Sequence, residues 1–184
     1  MTTVSCVDDI AATLVSSLVR TEQRIVFAES CTAGLISASL ARIPGVSAVL
    51  AGSSVVYQVA TKIAWLGIDE ALLDNPGPVS REVAELMAVN VLRNTSHAMI
   101  SASVTGHLGP DAPPELDGIA WCAVAVRNNS GQPIIRESRR LKLLSPAPSS
   151  DPLEIRRARQ QDAVRQVLLR CKAVIDGSAT RDAD

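Results

Sequence analysis

The sequence predicts a three-layer α/β/α domain built on a mixed, mainly parallel sheet and closed by a C-terminal helix. Three observations carry this reading. Short apolar runs of strand length alternate with longer segments whose apolar residues recur at helical spacing, the order expected when helices cover both faces of a sheet. Late in the chain, two β-rich runs are separated only by Asn128-Asn129-Ser130-Gly131, a hairpin pattern. The apolar residues, 47% of the total, are mostly Ala, Val, Leu and Ile, with only 2% aromatics; small branched side chains suit helices packed on a buried sheet.

The elements follow in order. Val7 to Arg20 places Ile10, Leu14, Leu18 and Val19 at helical spacing and predicts a first helix. Arg24 to Ala28 is a short apolar run, read as a buried strand. It leads directly into polar Glu29-Ser30-Cys31-Thr32-Ala33-Gly34, after which Leu35 to Arg42 predicts a helix closed by Pro44-Gly45. Val46 to Val56 contains the second strand, Val59 to Leu66 a short helix ended by Gly67, and Glu70 to Leu73 a further turn. Ser80 caps a helix that runs to about Asn94. Ala98 to Val104 is a third strand, leading into Thr105-Gly106-His107-Leu108-Gly109-Pro110. A Pro-rich loop over Asp111 to Asp117 precedes the two hairpin strands, Gly118 to Arg127 and Pro133 to Leu141. Ser145 to Pro152 reads as a linker, Leu153 to Val174 as the last helix, and 176–184 as a flexible tail, so that 1–175 forms one domain.

Composition narrows the function. A chain of 184 residues can bury a sizeable core. The net charge of −1 and the lack of aromatic stacking platforms argue against a nucleic-acid partner. The basic residues between Arg136 and Lys142 and between Arg156 and Arg170 are read as solvated faces rather than a polyanion patch. Cys6, Cys31, Cys122 and Cys171 form no CxxC pair, which argues against a metal knuckle. No segment is long and apolar enough to span a bilayer, and a cytoplasmic location with reduced thiols is the expectation.

Two strand ends carry small polar residues, Ser30 to Thr32 and Thr105-Gly106. In open α/β sheets ligands sit outside the carboxyl ends of strands, and a following helix N-terminus favours a phosphate or an oxyanion. One cleft between the two loops is therefore expected. Read alone, the first segment is equally a helix cap and the second a tight turn.

Ala28-Glu29-Ser30-Cys31-Thr32-Ala33-Gly34 closely resembles the AESCTGG or AESCTAG signature of the CinA C-terminal domain family. Pro44-Gly45-Val46-Ser47 is similar to that family's PGSS turn, and Tyr57 and Lys62 with the following Ile63 to Ile68 to its YxNxxKxxLLGV block. Gly77-Pro78-Val79-Ser80 with Glu82-Val83-Ala84 resembles GAVSxEVA, and Val104-Thr105-Gly106 to Gly109-Pro110 resembles VTGxAGP. The blocks keep the family's order over about residues 8 to 174. The resemblance implies a stand-alone, homo-oligomeric amidohydrolase that converts nicotinamide mononucleotide, a small nucleotide substrate, to nicotinic acid mononucleotide and ammonia. It implies neither a metal nor a redox cofactor.

Within that resemblance, Ser30 is the expected nucleophile and Lys62 its base, with Tyr57 as relay; a lysine in a partly dry site loses its proton more readily. Glu29, Cys31, Thr32 and Gly34 are candidate substrate or oxyanion contacts, with Glu29 equally a capping carboxylate and Cys31 equally a packed thiol. Thr105, Gly106 and Arg156 are candidate contacts to the phosphate or ribose. His97 is read as a surface residue and His107 as a loop residue, either exposed or at the substrate's edge, and not as the family's base. Three positions depart from the family pattern. Val59 stands where an Asn is expected, Asp111-Ala112-Pro113-Pro114 replaces a GxGG-type stretch, and Ser150-Asp151-Pro152 replaces GDR, losing an arginine that Arg156 or Arg157 could supply. Two alternatives stay open at this level: a non-catalytic nucleotide-binding or interaction module, and a hydrolase of another small amide.

Overall fold

Ile25–Glu29 (β1) has a neighbour on each side. It pairs in parallel with Leu50–Val55 (β2) and with Ile100–Gly106 (β3). Ile119–Arg127 (β4) runs antiparallel to β3, and Pro133–Lys142 (β5) antiparallel to β4, completing a five-stranded mixed sheet of order β2-β1-β3-β4-β5. These are features of a computed structural model that describes residues 6–145 and 151–177. Of the expected linker Ser145 to Pro152, residues 146–150 lie outside the described residues, as does the tail from 178 onward, while Asp151 caps the last helix and Pro152 begins it. Asp176, the first residue of that expected tail, instead accepts from Ser17, Arg20 and Lys172 at the end of the last helix.

The helices fall on two faces. Val7–Arg20 (α1), Leu35–Ala41 (α2) and Pro152–Ile175 (α6) cover one. Val59–Leu66 (α3), Glu70–Asp74 (α4) and Arg81–Asn94 (α5) cover the other. Strand alternation sorts the core accordingly. Ile25 and Phe27 point into the first layer with Leu14, Leu18, Ile36 and Val164, while Val26 and Ala28 point into the second with Met87 and Val91. β1 is buried along its whole length, as a central strand covered on both faces should be.

β3 uses the same alternation for a different end. Ile100, Ala102 and Val104 are apolar core, whereas Ser101, Ser103 and Thr105 are buried on the α5 side. Each hydroxyl is satisfied by a backbone carbonyl: Ser101 donates to Ala88, Ser103 to Ala84 and Thr105 to Pro78. The small side chains let α5 lie close to the sheet, and the hydroxyl bonds fix its position along the strand.

The connections on either side of β1 leave by opposite faces: α2 leads to β2 on one, and α3 to α5 lead to β3 on the other. A crevice therefore opens beyond the carboxyl ends of β1 and β3, where ligands bind in such sheets.

Candidate active site

The crevice is a cleft of about 230 Å³ that contains Ser30, Lys62, Tyr57, His107 and Arg156. A larger groove of about 520 Å³, lined among others by Gln23, Met99 and Arg127, carries no nucleophile and adjoins Gly177, beyond which the chain is not described. The chemistry therefore locates the site in the smaller cleft.

Ser30 follows β1 directly, and its amide donates to Val104 O at 3.0 Å, so the serine is tied to the end of β3 as well. The turn behind it needs two left-handed residues, Ala33 at φ 53° and Gly34 at φ 95°. Glycine adopts that conformation without a Cβ penalty, which explains residue 34. Gly34 caps α2 and is not among the cleft residues.

Glu29 and Thr32, expected as substrate contacts, face the other way. The Glu29 carboxylate is fully buried and accepts from the Thr32 and Ser37 hydroxyls, the Ile36 and Ser37 amides and the Ser53 hydroxyl, all at 2.8–3.0 Å. Its donors come from the turn after Ser30, from the first turn of α2 and from β2. It acts as a helix cap and a brace under the serine turn, where the dipole of α2 favours a negative charge. Substituting Glu29→Ala strands these donors, and we expect a loss of about 3 kcal/mol of stability, read as a lowered urea midpoint. An unchanged midpoint would show that the brace is dispensable.

Lys62, only 2% exposed, comes from the first turn of α3. Its Nζ lies 3.0 Å from Ser30 Oγ, 2.9 Å from Val56 O and 3.4 Å from Tyr57 O. Nζ donates in all three contacts, and once it loses a proton its lone pair can face only the hydroxyl, because the two carbonyls cannot donate. Burial pushes the Lys62 pKa below the ordinary lysine value. Cys31, beside Ser30, has its pKa pushed by burial up to about 12, so it holds its proton at neutral pH. It is a packed thiol rather than a nucleophile. Cys31→Ser should leave turnover within about threefold, and a loss of a hundredfold or more in a folded variant would return the thiol to the mechanism.

Tyr57 is not placed as a relay. Only its carbonyl reaches Lys62. Its phenol, on a half-exposed side chain, accepts from Arg156 Nη2 at 2.6 Å. The chain leaves β2 with the Val56 and Tyr57 carbonyls turned toward the lysine of the next helix, which sends the Tyr57 ring to the rim. Arg156 also donates to Gly109 O at 2.7 Å, joining α6 to both rims of the cleft. Thr105 lines the cleft, but its hydroxyl is committed to Pro78. Gly106 is required by packing: a Cβ there would lie 2.5 Å from that of Ala120 on β4. His97 is exposed, whereas His107 lines the cleft.

Sequence reasoning missed Arg159. It was grouped with the solvated basic residues of the last helix, yet it is buried and forms a bidentate pair with Asp117 at 2.6 and 2.7 Å. It also donates to Leu108 O. Its hydrogen bonds hold the Asp117 carboxyl below the usual carboxylate range. Arg165 and Arg170 likewise pair with the buried carboxylates of Asp162 and Glu137. For Arg159 and Arg170 the acids lie in distant segments that no local pattern reveals, whereas Asp162 and Arg165 are three residues apart on one helix, a spacing the sequence does show.

The comparisons agree with this architecture. The model of the CinA C-terminal domain matches residues 7–143, and the chain belongs to that family. A CinA-like protein from Myxococcus xanthus (strain DK1622) is 39% identical over 117 residues, covering 62% of this chain and 28% of the relative. One from Mycobacterium sp. (strain JLS) is 37% identical over 135 residues, 73% of this chain and 31% of that protein. The chain thus spans less than a third of these relatives. Among solved structures, the competence/damage inducible protein CihA from Agrobacterium tumefaciens superposes with a TM-score of 0.74 at 27% identity, over 92% of this chain and 95% of that one. The competence damage-inducible protein A from Klebsiella pneumoniae gives a TM-score of 0.76 at 23% identity, covering 94% and 96%, a likeness of fold alone.

Proposed function

We propose that this chain is an amidohydrolase that deamidates nicotinamide mononucleotide, with Ser30 as nucleophile and Lys62 as its base. The observation that carries the reading is the 3.0 Å contact between a buried lysine nitrogen and the serine hydroxyl at the mouth of a cleft. A lysine stripped of hydration, with carbonyls to accept its two N–H groups, is suited to take the serine proton.

The reaction runs as follows. Ser30 Oγ attacks the carboxamide carbon while its proton passes to Lys62 Nζ. The carbonyl oxygen becomes an oxyanion. The amides of Cys31 and Thr32, which donate to no carbonyl among the described residues, are its candidate donors. Lys62 returns the proton to the departing nitrogen, the C–N bond breaks, and ammonia leaves an acyl ester on Ser30. Lys62 then takes a proton from water, which attacks the ester. The C–O bond to Ser30 breaks, the serine is reprotonated, and the product is a pyridine carboxylate. Each step uses one base, and no second titrating group is needed.

Arg156, which lines the same cleft, supplies a cation for the substrate's phosphate in this reading, taking the place of the arginine lost at Ser150-Asp151-Pro152. A cytoplasmic location and a homo-oligomer belong to the same reading; among the described residues, no helix is long and apolar enough to cross a membrane. The test is direct: incubation with nicotinamide mononucleotide should release ammonia and nicotinic acid mononucleotide in equal amounts. Absence of both at micromolar enzyme would overturn the assignment.

A further inference from the structure

The loop from His107 to Gly118 supplies His107, Leu108, Gly109 and Pro110 to the lining of the cleft. Backbone pairing closes its two ends on each other: the His107 amide donates to Ile119 O at 2.8 Å and the Gly118 amide to His107 O at 3.1 Å. Arg159 fastens this loop to α6. Its Nη1 donates to Leu108 O at 3.2 Å and to Asp117 Oδ1 at 2.6 Å, its Nη2 to Asp117 Oδ2 at 2.7 Å, and its Nε to the Ser145 hydroxyl, just past β5, at 3.0 Å. The guanidinium therefore sits against both ends of the loop at once. Gly109 and Gly118 leave the room for it: a Cβ on Gly109 would lie 2.8 Å from Nη1, and one on Gly118 3.2 Å from the guanidinium carbon. Neither Arg159 nor Asp117 lines the cleft.

What the pair controls is one step removed. Arg156 stands three positions before Arg159, on the same face of α6. The two arginines grip consecutive loop carbonyls, Arg159 that of Leu108 and Arg156 that of Gly109. Arg156 directs a second N–H to the phenol of Tyr57, from the far side of the cleft. The position of Gly109 O thus decides where Arg156 points, and Arg159 with Asp117 decides the position of Gly109 O. The reacting pair is built separately. Ser30 is tied to Val104 O on β3, and Lys62 to the Val56 and Tyr57 carbonyls. That set of contacts includes neither Arg159 nor Asp117.

We propose that Arg159 is a positioning residue that, through its pair with Asp117, fixes the 107–118 loop on α6 and so sets how tightly the cleft holds a nucleotide, leaving the rate of the chemical step to Ser30 and Lys62. The inference rests on the nucleotide reading of the cleft but not on hydrolysis. Preorganising a binding wall raises affinity because the ligand does not have to order it.

The test uses Asp117→Asn, Arg159→Gln and the double variant of the full chain, with nicotinamide mononucleotide as the probe in calorimetry and in steady-state ammonia release. The Asp117 side chain is 43% exposed, so asparagine fits there, but one of its two acceptors becomes a donor facing the guanidinium. We expect each single variant to bind about tenfold more weakly, and the double variant to lose the same tenfold rather than about a hundredfold, since all three break one pair. KM should follow the affinity while kcat stays within about threefold of wild type. Urea midpoints provide the control for folding, and Asp117→Asn carries the test alone if Arg159→Gln does not fold. A merely structural pair would lower the midpoint and leave affinity and KM at wild-type values. That result, a multiplicative double variant, a fall in kcat with affinity unchanged, or no binding by the wild type overturns the proposal. The two readings fail separately: weakened binding in the variants with no ammonia from the wild type removes the amidohydrolase and leaves the pair, and ammonia from the wild type with unchanged KM in the variants does the reverse.

Discussion

Ser30→Ala is expected to lower ammonia release from nicotinamide mononucleotide by about 10³-fold or more, while ligand binding changes little. The hydroxyl forms the covalent bond in the proposed reaction, and a methyl group cannot. The substitution removes one hydrogen bond from Lys62 and leaves the Val56 and Tyr57 carbonyl contacts in place, so the fold should survive. Circular dichroism and thermal unfolding provide that control. Trapping the acyl intermediate by rapid acid quench and mass spectrometry should show added mass on the wild type and none on the variant. Retention of a tenth or more of the activity in Ser30→Ala would falsify the assignment of the nucleophile.

Lys62→Met is the second large effect, and it separates catalysis from stability. Methionine keeps most of the unbranched side-chain volume and removes the amine. Turnover should fall by about 10²–10⁴-fold, the range for loss of a general base. Stability should stay level or rise at neutral pH, because burying an ionisable amine with no carboxylate partner among the described residues is costly. The pH dependence provides a further check. The folded chain binds the Lys62 proton less tightly than the unfolded chain does, since burial pushes its pKa down. Between the lowered native value and the ordinary lysine value, the unfolded state holds more protons, so stability increases with pH across that window. Lys62→Met should lack this increase. In the wild type, kcat/KM should rise with pH as the amine loses its proton, with a midpoint below the ordinary lysine value. A folded Lys62→Met that keeps a tenth of wild-type turnover removes Lys62 from the mechanism.

Much of the fold was legible because its local signals agree with one another. α1 and α3 begin and end where periodicity placed them, and Gly67, predicted as a terminator, is the left-handed cap of α3. The hairpin of β4 and β5 follows from its turn residues and alternation. The first strand and the third both run one or two residues further than their apolar cores suggest. Glu29 and Thr105-Gly106 are polar or small yet remain in the ladder. Strand pairing there is backbone chemistry that side-chain hydropathy does not report.

The site was legible in part. The resemblance singled out Ser30 and Lys62, and the structure brings their side chains together. What escaped was which way side chains turn. Tyr57 reaches Arg156 instead of Ser30, and Thr32 reaches Glu29 instead of the cleft. Arg159 looked like any arginine of a long surface helix until Asp117, 42 positions earlier, arrived beside it. Such pairings depend on how distant segments stack, and no window of neighbouring residues contains that information.

The Glu29 brace divides the two walls of the cleft into unequal parts. One wall, with the serine on it, is anchored to three elements through a single carboxylate and cannot adjust without breaking them. The opposite wall is held by Arg156, which grips the Gly109 carbonyl and the Tyr57 phenol through side-chain contacts alone. Evolution or design can therefore rewrite which molecules enter by altering the arginine side alone, while the hydroxyl that would react with them stays where the sheet put it.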